Sequence, residues 1–410
     1  MIKTLKHIKV SILFVLGVLL MACSNTPKTV STTVTTERFK IEIPRDQQVS
    51  SNGINVNFKE YKLSQLESIR FIVSGTFGTS VLKPTEDSGL ARVVIPSEIS
   101  QIAGQLEWIL MEHEHFLEKG DFRLMPTASL GTVENYLGPR SITASKRDNT
   151  MLVTVPTDSL DNMLPDDTAI SMNHQFKGQT VKTPVKLKAG FGWKRIAAPL
   201  VTGRLSTGST VGVISSKELV ADVFPDIAQD FSINYERTHP FADGNELMSI
   251  KTSQIKDAQG NIMTDGTLVN FFIVDEKNNH WQTTSSTING YAFAKILHPE
   301  LPCTLSVNAV IKGMAESPKM TVDFKSIITE IPKAIFDNST LKVGPLTSYL
   351  GQLVQDGVEV ELQLNETSWI LLTKDGYVSQ ELDSLKFPKG TYSLTVKTLG
   401  LESTYPITID

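Results

Sequence analysis

Glu112-His113-Glu114-His115 is the densest cluster of potential metal ligands in the chain. Imidazole beside carboxylate suits a transition metal, and on a strand His113 and His115 would share one face. On a helix they would point to different sides. Neither arrangement matches the His-Glu-x-x-His of zinc proteases, where the two histidines sit one turn apart. A solvated edge strand, charged so as to discourage aggregation, explains the same residues without an ion. No metal is therefore expected, and His113 and His115 are the weak candidates for one. Turn aspartates form a second group. Asp166, Asp167, Asp243, Asp257 and Asp265 could hold calcium between domains. None follows the alternating Asp/Asn pattern of an EF-hand loop, and turn chemistry alone accounts for them. Gly-x-Ser-x-Gly, a phosphate-cradling Gly-Lys-Ser/Thr and Cys-x-x-Cys are absent from the sequence. A glycosidase carboxylate pair leaves no local spacing to read. No catalytic residue and no cofactor is expected.

The remaining chemistry belongs to cysteine. The chain has two, Cys23 and Cys303. Cys303 lies in the alternating run Pro302-Cys-Thr-Leu-Ser-Val and reads as a buried small apolar residue. Cys23 closes an N-terminal segment with Lys3, Lys6 and Lys9 ahead of an apolar run from Val10 to Met21. That run is too short to span a bilayer comfortably and has the layout of an export signal. Leu20-Met21-Ala22-Cys23 resembles the lipobox of bacterial lipoproteins, with Leu three residues before the cysteine and Ala immediately before it. Met21 departs mildly from the commoner small or β-branched residue. The resemblance implies cleavage before Cys23, a diacylglycerol on its sulfur and acylation of the new N-terminus. Acyl chains on one residue give durable membrane attachment at about 0.8 kcal/mol per buried methylene. Ser24 stands where Asp would favour retention in the inner membrane, so the same resemblance implies the outer membrane, with the face undetermined.

Behind the anchor, Ser24 to Thr36 is Ser/Thr-rich without a large apolar residue and reads as a flexible tether. The rest, about 370 residues, is too long for one core. Without the three signal lysines, 36 basic side chains face 44 acidic ones, a net charge of −8. An acidic chain without basic clusters excludes nucleic acid as the expected partner. With Cys23 lipidated, Cys303 is left without an intrachain partner, so stability must come from cores.

Those cores repeat. Asp257-Ala-Gln-Gly-Asn261, Asp265-Gly266-Thr-Leu-Val-Asn-Phe271 and Thr287-Ile-Asn289-Gly290-Tyr291 alternate turns with strand-like runs. Asp-Gly and Asn-Gly tolerate the positive φ that tight strand connections need. The order recurs at Asp356-Gly357, Trp369 and Asp375-Gly376-Tyr377, and more faintly upstream at Asp161 to Asp167 with Trp193. A period of about 95 residues with such turns is that of tandem β-sandwiches. The third repeat resembles a bacterial Ig-like domain of the invasin/intimin type. The fourth follows it loosely, and the second more weakly because Asp167-Thr168 stands where Asp-Gly is expected. The resemblance implies fold rather than activity.

The expected architecture is therefore all-β: tandem Ig-like β-sandwich domains behind a lipoprotein signal and a flexible tether. The expected divisions are residues 1–22 for the signal, 23–36 for the acylated cysteine and tether, 37–130 for an N-terminal sandwich, and 131–229, 230–330 and 331–410 for Ig-like domains. Within the first domain, Ile99, Ile102, Leu106, Ile109, His113 and Phe116 recur at helical spacing. Trp108 to Phe116 followed by Glu118-Lys-Gly-Asp121 reads equally as a hairpin, and β neighbours favour the hairpin. Trp108, Trp193, Trp281 and Trp369, nearly evenly spaced, read as one core aromatic per sandwich. The functional expectation is a lipid-anchored, non-enzymatic rod at the outer membrane, engaged in adhesion or in a surface or secretion assembly. Its partner would be a protein or surface glycan contacted through the distal domain. A glycan-capture lipoprotein is the alternative, favoured by exposure of Trp281 and Trp369. An enzyme with its site in the first domain is the third reading.

Overall fold

A computed structural model describes residues 40–61 and 63–409. Cys23, the signal and the tether lie outside the described residues. Among the described residues the chain is nearly all β, with eight sheets in two compact units, one running up to 131 and taking in 157–164, the other 132–156 with the residues from 165 onward.

In the first unit a four-stranded sheet contains Ile54–Glu60 and Leu90–Ile95, and a five-stranded sheet contains Ile69–Gly75, Gly104–Glu112 and His115–Met125. Alternation sorts the faces. Ile69, Phe71 and Val73 are fully buried, while the residues between them are not. They meet Phe58, Leu110 and Phe122 in one core. Helical spacing over 97–119 produces only a single turn, Ser97–Ser100; the rest is the hairpin. Pairing decides this outcome, because the strand Gly104–Glu112 is hydrogen-bonded on both sides, to Ile69–Gly75 and to His115–Met125. Trp108 stacks on Phe71 at 5.7 Å and lies flat over its cross-strand partner Gly120, where a Cβ would sit 2.9 Å from the indole.

The second unit contains three further sandwiches. The one over 233–326 shows the pattern: a sheet of Ile233–Glu236, Leu247–Thr252 and Phe293–Leu297 faces one ordered Phe241–Ala242, Met320–Ser326, Cys303–Ile311, Leu268–Val274, His280–Ser286. The short strand Phe241–Ala242 pairs in parallel with the last strand. Two sheets with this order, and a first strand split between them, make an Ig-like sandwich. Ser141–Thr143 and Leu219–Phe224 repeat the parallel pairing one sandwich earlier, as Asp46–Gln48 and Arg123–Met125 do in the first unit. The last sandwich instead closes with the antiparallel pair Gly390–Thr398 and Leu401–Ile409.

One device recurs in all three sandwiches of this unit. Ala189-Gly190, Asn289-Gly290 and Asp375-Gly376 form two-residue turns with both φ positive, the mirror-image turn that matches strand twist. In each, the first turn amide donates to an aspartate: Asp166 at 2.7 Å, Asp265 at 2.6 Å and Asp356 at 2.7 Å. The residue after that aspartate has positive φ, as Asp167, Gly266 and Gly357. Asp167 thus stands at the glycine position.

Candidate functional site

The sequence-derived metal candidates occupy the tip of a hairpin. Glu112 pairs with His115, leaving His113 and Glu114 as the turn, with His113 at φ 53°. His113 and His115 are exposed and do not share a strand face, because one is a turn residue. Asp166 and Asp265 are taken up by the turns just described. Asp167 makes an exposed ion pair with Lys186 at 3.2 Å.

Asp257 opens a buried turn. Its carboxylate accepts the amides of Gln259 and Asn261 at 2.9 and 2.8 Å, the Asn261 Nδ2 at 2.8 Å, and the amide of Asp226 at 3.0 Å. Asn261 also reaches the preceding sandwich, accepting from the Thr202 amide and donating to the Leu200 carbonyl, both at 3.0 Å. Burial pushes the Asp257 carboxyl up, but these donors outweigh it and hold the group below its ordinary value. The first unit contains the same turn 99 residues earlier. There Asp158 accepts from Leu160, Asn162 and Thr127, and Asn162 bonds the Ala103 amide and the Gln101 carbonyl.

Before the last sandwich the equivalent residues are Ser348 and Gln352, joined by the same backbone bond, and no carboxylate is available. Aromatic packing replaces the clamp. Tyr349 stacks on Phe241 at 4.0 Å and lies 4.9 Å from His239. Around it gathers the one group of three or more His, Cys, Asp or Glu side chains within coordinating reach among the described residues: His239, Asp243 and His298. His298, 1% exposed, has Nδ1 at 3.0 Å from the Phe241 carbonyl and 3.3 Å from Asp243 Oδ1. His239 Nε2 lies 3.5 Å from Asp243 Oδ2 and 3.4 Å from Glu246 Oε2. Neither imidazole's Nε2 has a hydrogen-bond partner. Asp243 Oδ1 also accepts the amides of Asn245 and Glu246 at 3.2 Å. Burial raises the Asp243 carboxyl, but these amides together with the two imidazoles outweigh it and hold the group below its ordinary value. Burial, then Glu246 and Asp243, raise the Tyr349 phenol. Sequence reading placed Asp243 in a turn but missed both histidines. The i, i+4 pair His239 and Asp243 was the available signal, while His298 is 59 residues away.

The tryptophans correct a second expectation. Trp108 is core, at 7% exposure, but Trp193 and Trp281 are 56% and 50% exposed. Trp193 pairs with Val153 on the outward side of its sheet. Trp281 pairs with buried Ile273 on an edge strand, so it faces inward at an uncovered rim. Trp369 holds a similar edge position opposite Leu362 and is half-buried under Phe387, at 5.8 Å. Cys303 is half-buried, and burial, then Asp275 and Glu276, raise its thiol.

No protein-family model matches the chain, and no curated protein sequence does. In fold it is similar to solved bacterial Ig-like adhesins. The Escherichia coli adhesin FdeC aligns at 12% identity over 70% of this chain and 96% of that one, with a TM-score of 0.46. Invasin, a bacterial integrin-binding protein, aligns at 12% over 90% and 79%, with a TM-score of 0.43. The Yersinia pseudotuberculosis adhesin InvE aligns at 13% over 59% and 75%, with a TM-score of 0.28.

Proposed function

We propose that this chain is a non-enzymatic array of Ig-like domains, tethered through a lipid on Cys23 to the bacterial outer membrane. Its role is to carry a protein-binding surface on its last domain away from the bilayer. The observation that carries the reading is the buried Asp-x-x-x-Asn turn of the second unit, where Asn261 bonds Leu200 and Thr202 of the preceding sandwich, which suits modules that must hold a fixed spacing. The last sandwich supplies an apolar contact surface in the edge strand Thr367–Leu372, where Ile370 and Leu372 are 72% and 61% exposed. An uncharged, uncovered edge of this kind favours pairing with another chain. The division into four domains, at the boundaries expected from sequence, belongs to the same proposal.

Protease treatment of intact cells, with lysed cells and a periplasmic marker as controls, tests the reading. Loss of the full-length protein on intact cells is expected. Loss only after lysis overturns adhesion. A Cys23→Ser variant should leave the membrane fraction, and its retention there would overturn the lipid anchor. Half-exposed Trp281 supports glycan capture as a second reading, whereas Trp369 is half-buried under Phe387. Binding of surface polysaccharide that is abolished by Trp281→Ala would favour that alternative.

A further inference from the structure

Beyond the adhesive reading, we infer that His239, His298 and Asp243, with Glu246 at the rim beside His239, form a site for a divalent transition metal of the zinc type. Separation is the first argument. Charge-assisted hydrogen bonds between imidazole and carboxylate close to about 2.7–2.9 Å, yet here the three contacts stand at 3.3, 3.5 and 3.4 Å. Ligands about 2.0–2.1 Å from a tetrahedral zinc ion sit about 3.3–3.4 Å from one another. The three contacts are of that order, the two imidazoles approaching Asp243 through different carboxylate oxygens. The two histidine nitrogens and one Asp243 oxygen lie within 4.8 Å of one another.

Donor chemistry is the second argument. Two imidazoles and a carboxylate, with a second carboxylate at the rim, match zinc, cobalt or nickel, whereas calcium takes six to eight oxygens. Binding through His239 Nε2 and His298 Nδ1 places each ring proton on the opposite nitrogen. The His239 ring then gives up its contact from the Phe241 amide, now 3.2 Å, and His298 exchanges the Phe241 carbonyl for the ion. Both changes act on the backbone of Phe241, whose ring stacks on Tyr349. Occupancy thus ties the 239–246 loop to His298 beneath the aromatic seat of the last sandwich.

The test uses the tag-free mature chain and Zn2+ alone, titrated against a chromophoric chelator, with X-ray absorption of the loaded protein and amide exchange at residues 242–246 and 349. One equivalent bound to a nitrogen/oxygen shell near 2.0 Å and slowed exchange at those amides are expected. His239→Gln and Glu246→Gln, at the rim of the site, should each weaken Zn2+ by at least about ten-fold while circular dichroism stays unchanged. A double His113→Ala, His115→Ala variant should bind as the parent does. The proposal is overturned if Zn2+ binding survives His239→Gln, if it is lost in the hairpin double variant, or if Ca2+ displaces Zn2+ stoichiometrically.

Discussion

Asn261→Ala removes an amide that makes three hydrogen bonds, to the Thr202 amide, the Leu200 carbonyl and the Asp257 carboxylate. The side chain is buried, so truncation leaves those partners largely out of reach of water. A bond to a charged group is worth about 1.5–3 kcal/mol and a neutral one about 0.5–1.5 kcal/mol. Allowing for partial exposure at Leu200, the sum is about 2–4 kcal/mol. For a sandwich of this size that lowers the thermal midpoint by about 10 °C or more. The chain contains its own control. Asp275 and Asn279 form the same turn with the same bonds, including Asn279 Nδ2 to Asp275 Oδ2 at 2.8 Å, but on the surface. Asn279→Ala should cost less than about 0.5 kcal/mol, as exposed substitutions do. Urea unfolding of both variants, with amide exchange at Thr202, separates the cases. Equal losses in the two variants, or Thr202 exchange unchanged by Asn261→Ala, would refute the clamp.

Asp257 and Asp158 both titrate below their ordinary value when folded. Their contribution is complete above about pH 4, the unfolded carboxylate pKa, and is lost as pH falls through the lower folded value. Denaturation midpoints of the parent should therefore fall more steeply below pH 4 than those of Asp257→Asn; parallel slopes would exclude the linkage. Asp167 holds φ at 66°, so Asp167→Gly should stabilise by about 0.5 kcal/mol after loss of the exposed Lys186 pair. Gly266→Ala, with open space around the added Cβ, should destabilise by about 1–2 kcal/mol, and thermal scans would read both. Gly120→Val should push the Trp108 indole off its cross-strand seat at about 1–3 kcal/mol. Its readout is the protected fraction in acrylamide quenching: Trp108, the most buried of the four tryptophans, supplies most of it in the parent, and an unchanged fraction would contradict the packing.

The turns were legible because their chemistry is local. Asp265-Gly266 and Asn289-Gly290 announce positive φ within two residues, and the structure uses each for that purpose. Their longer partnership was not visible: nothing adjacent reveals that Asp265 caps Asn289, 24 residues away. The second repeat was misaligned by one residue for a related reason. Asp166, not Asp167, is the cap, and an aspartate in the glycine position hid the match. Even spacing misled for tryptophan, because a residue's place along the period does not say which face of its strand points inward. Val153 opposite Trp193 faces outward, whereas Ile273 opposite Trp281 faces the core. The hairpin over 104–125 turned on pairing with Ile69–Gly75, a long-range contact that overrides helical spacing. The histidine cluster was the least legible, since its members come from a loop and a strand end separated by 59 residues.

Parallel pairing of first and last strands has a mechanical consequence. A pull on the two ends of such a sandwich slides those strands lengthwise, so every bond between them bears load at once. Asp46–Gln48, Ser141–Thr143 and Phe241–Ala242 all act as bolts of this kind. The last sandwich has none among its described strands. Its final strand pairs antiparallel from Leu401 back to Ile409 opposite Gly390, and tension applied at Ile409 peels that ladder one pair at a time. A load carried along the chain would therefore open the last sandwich first, leaving the bolted ones as stiff links behind it.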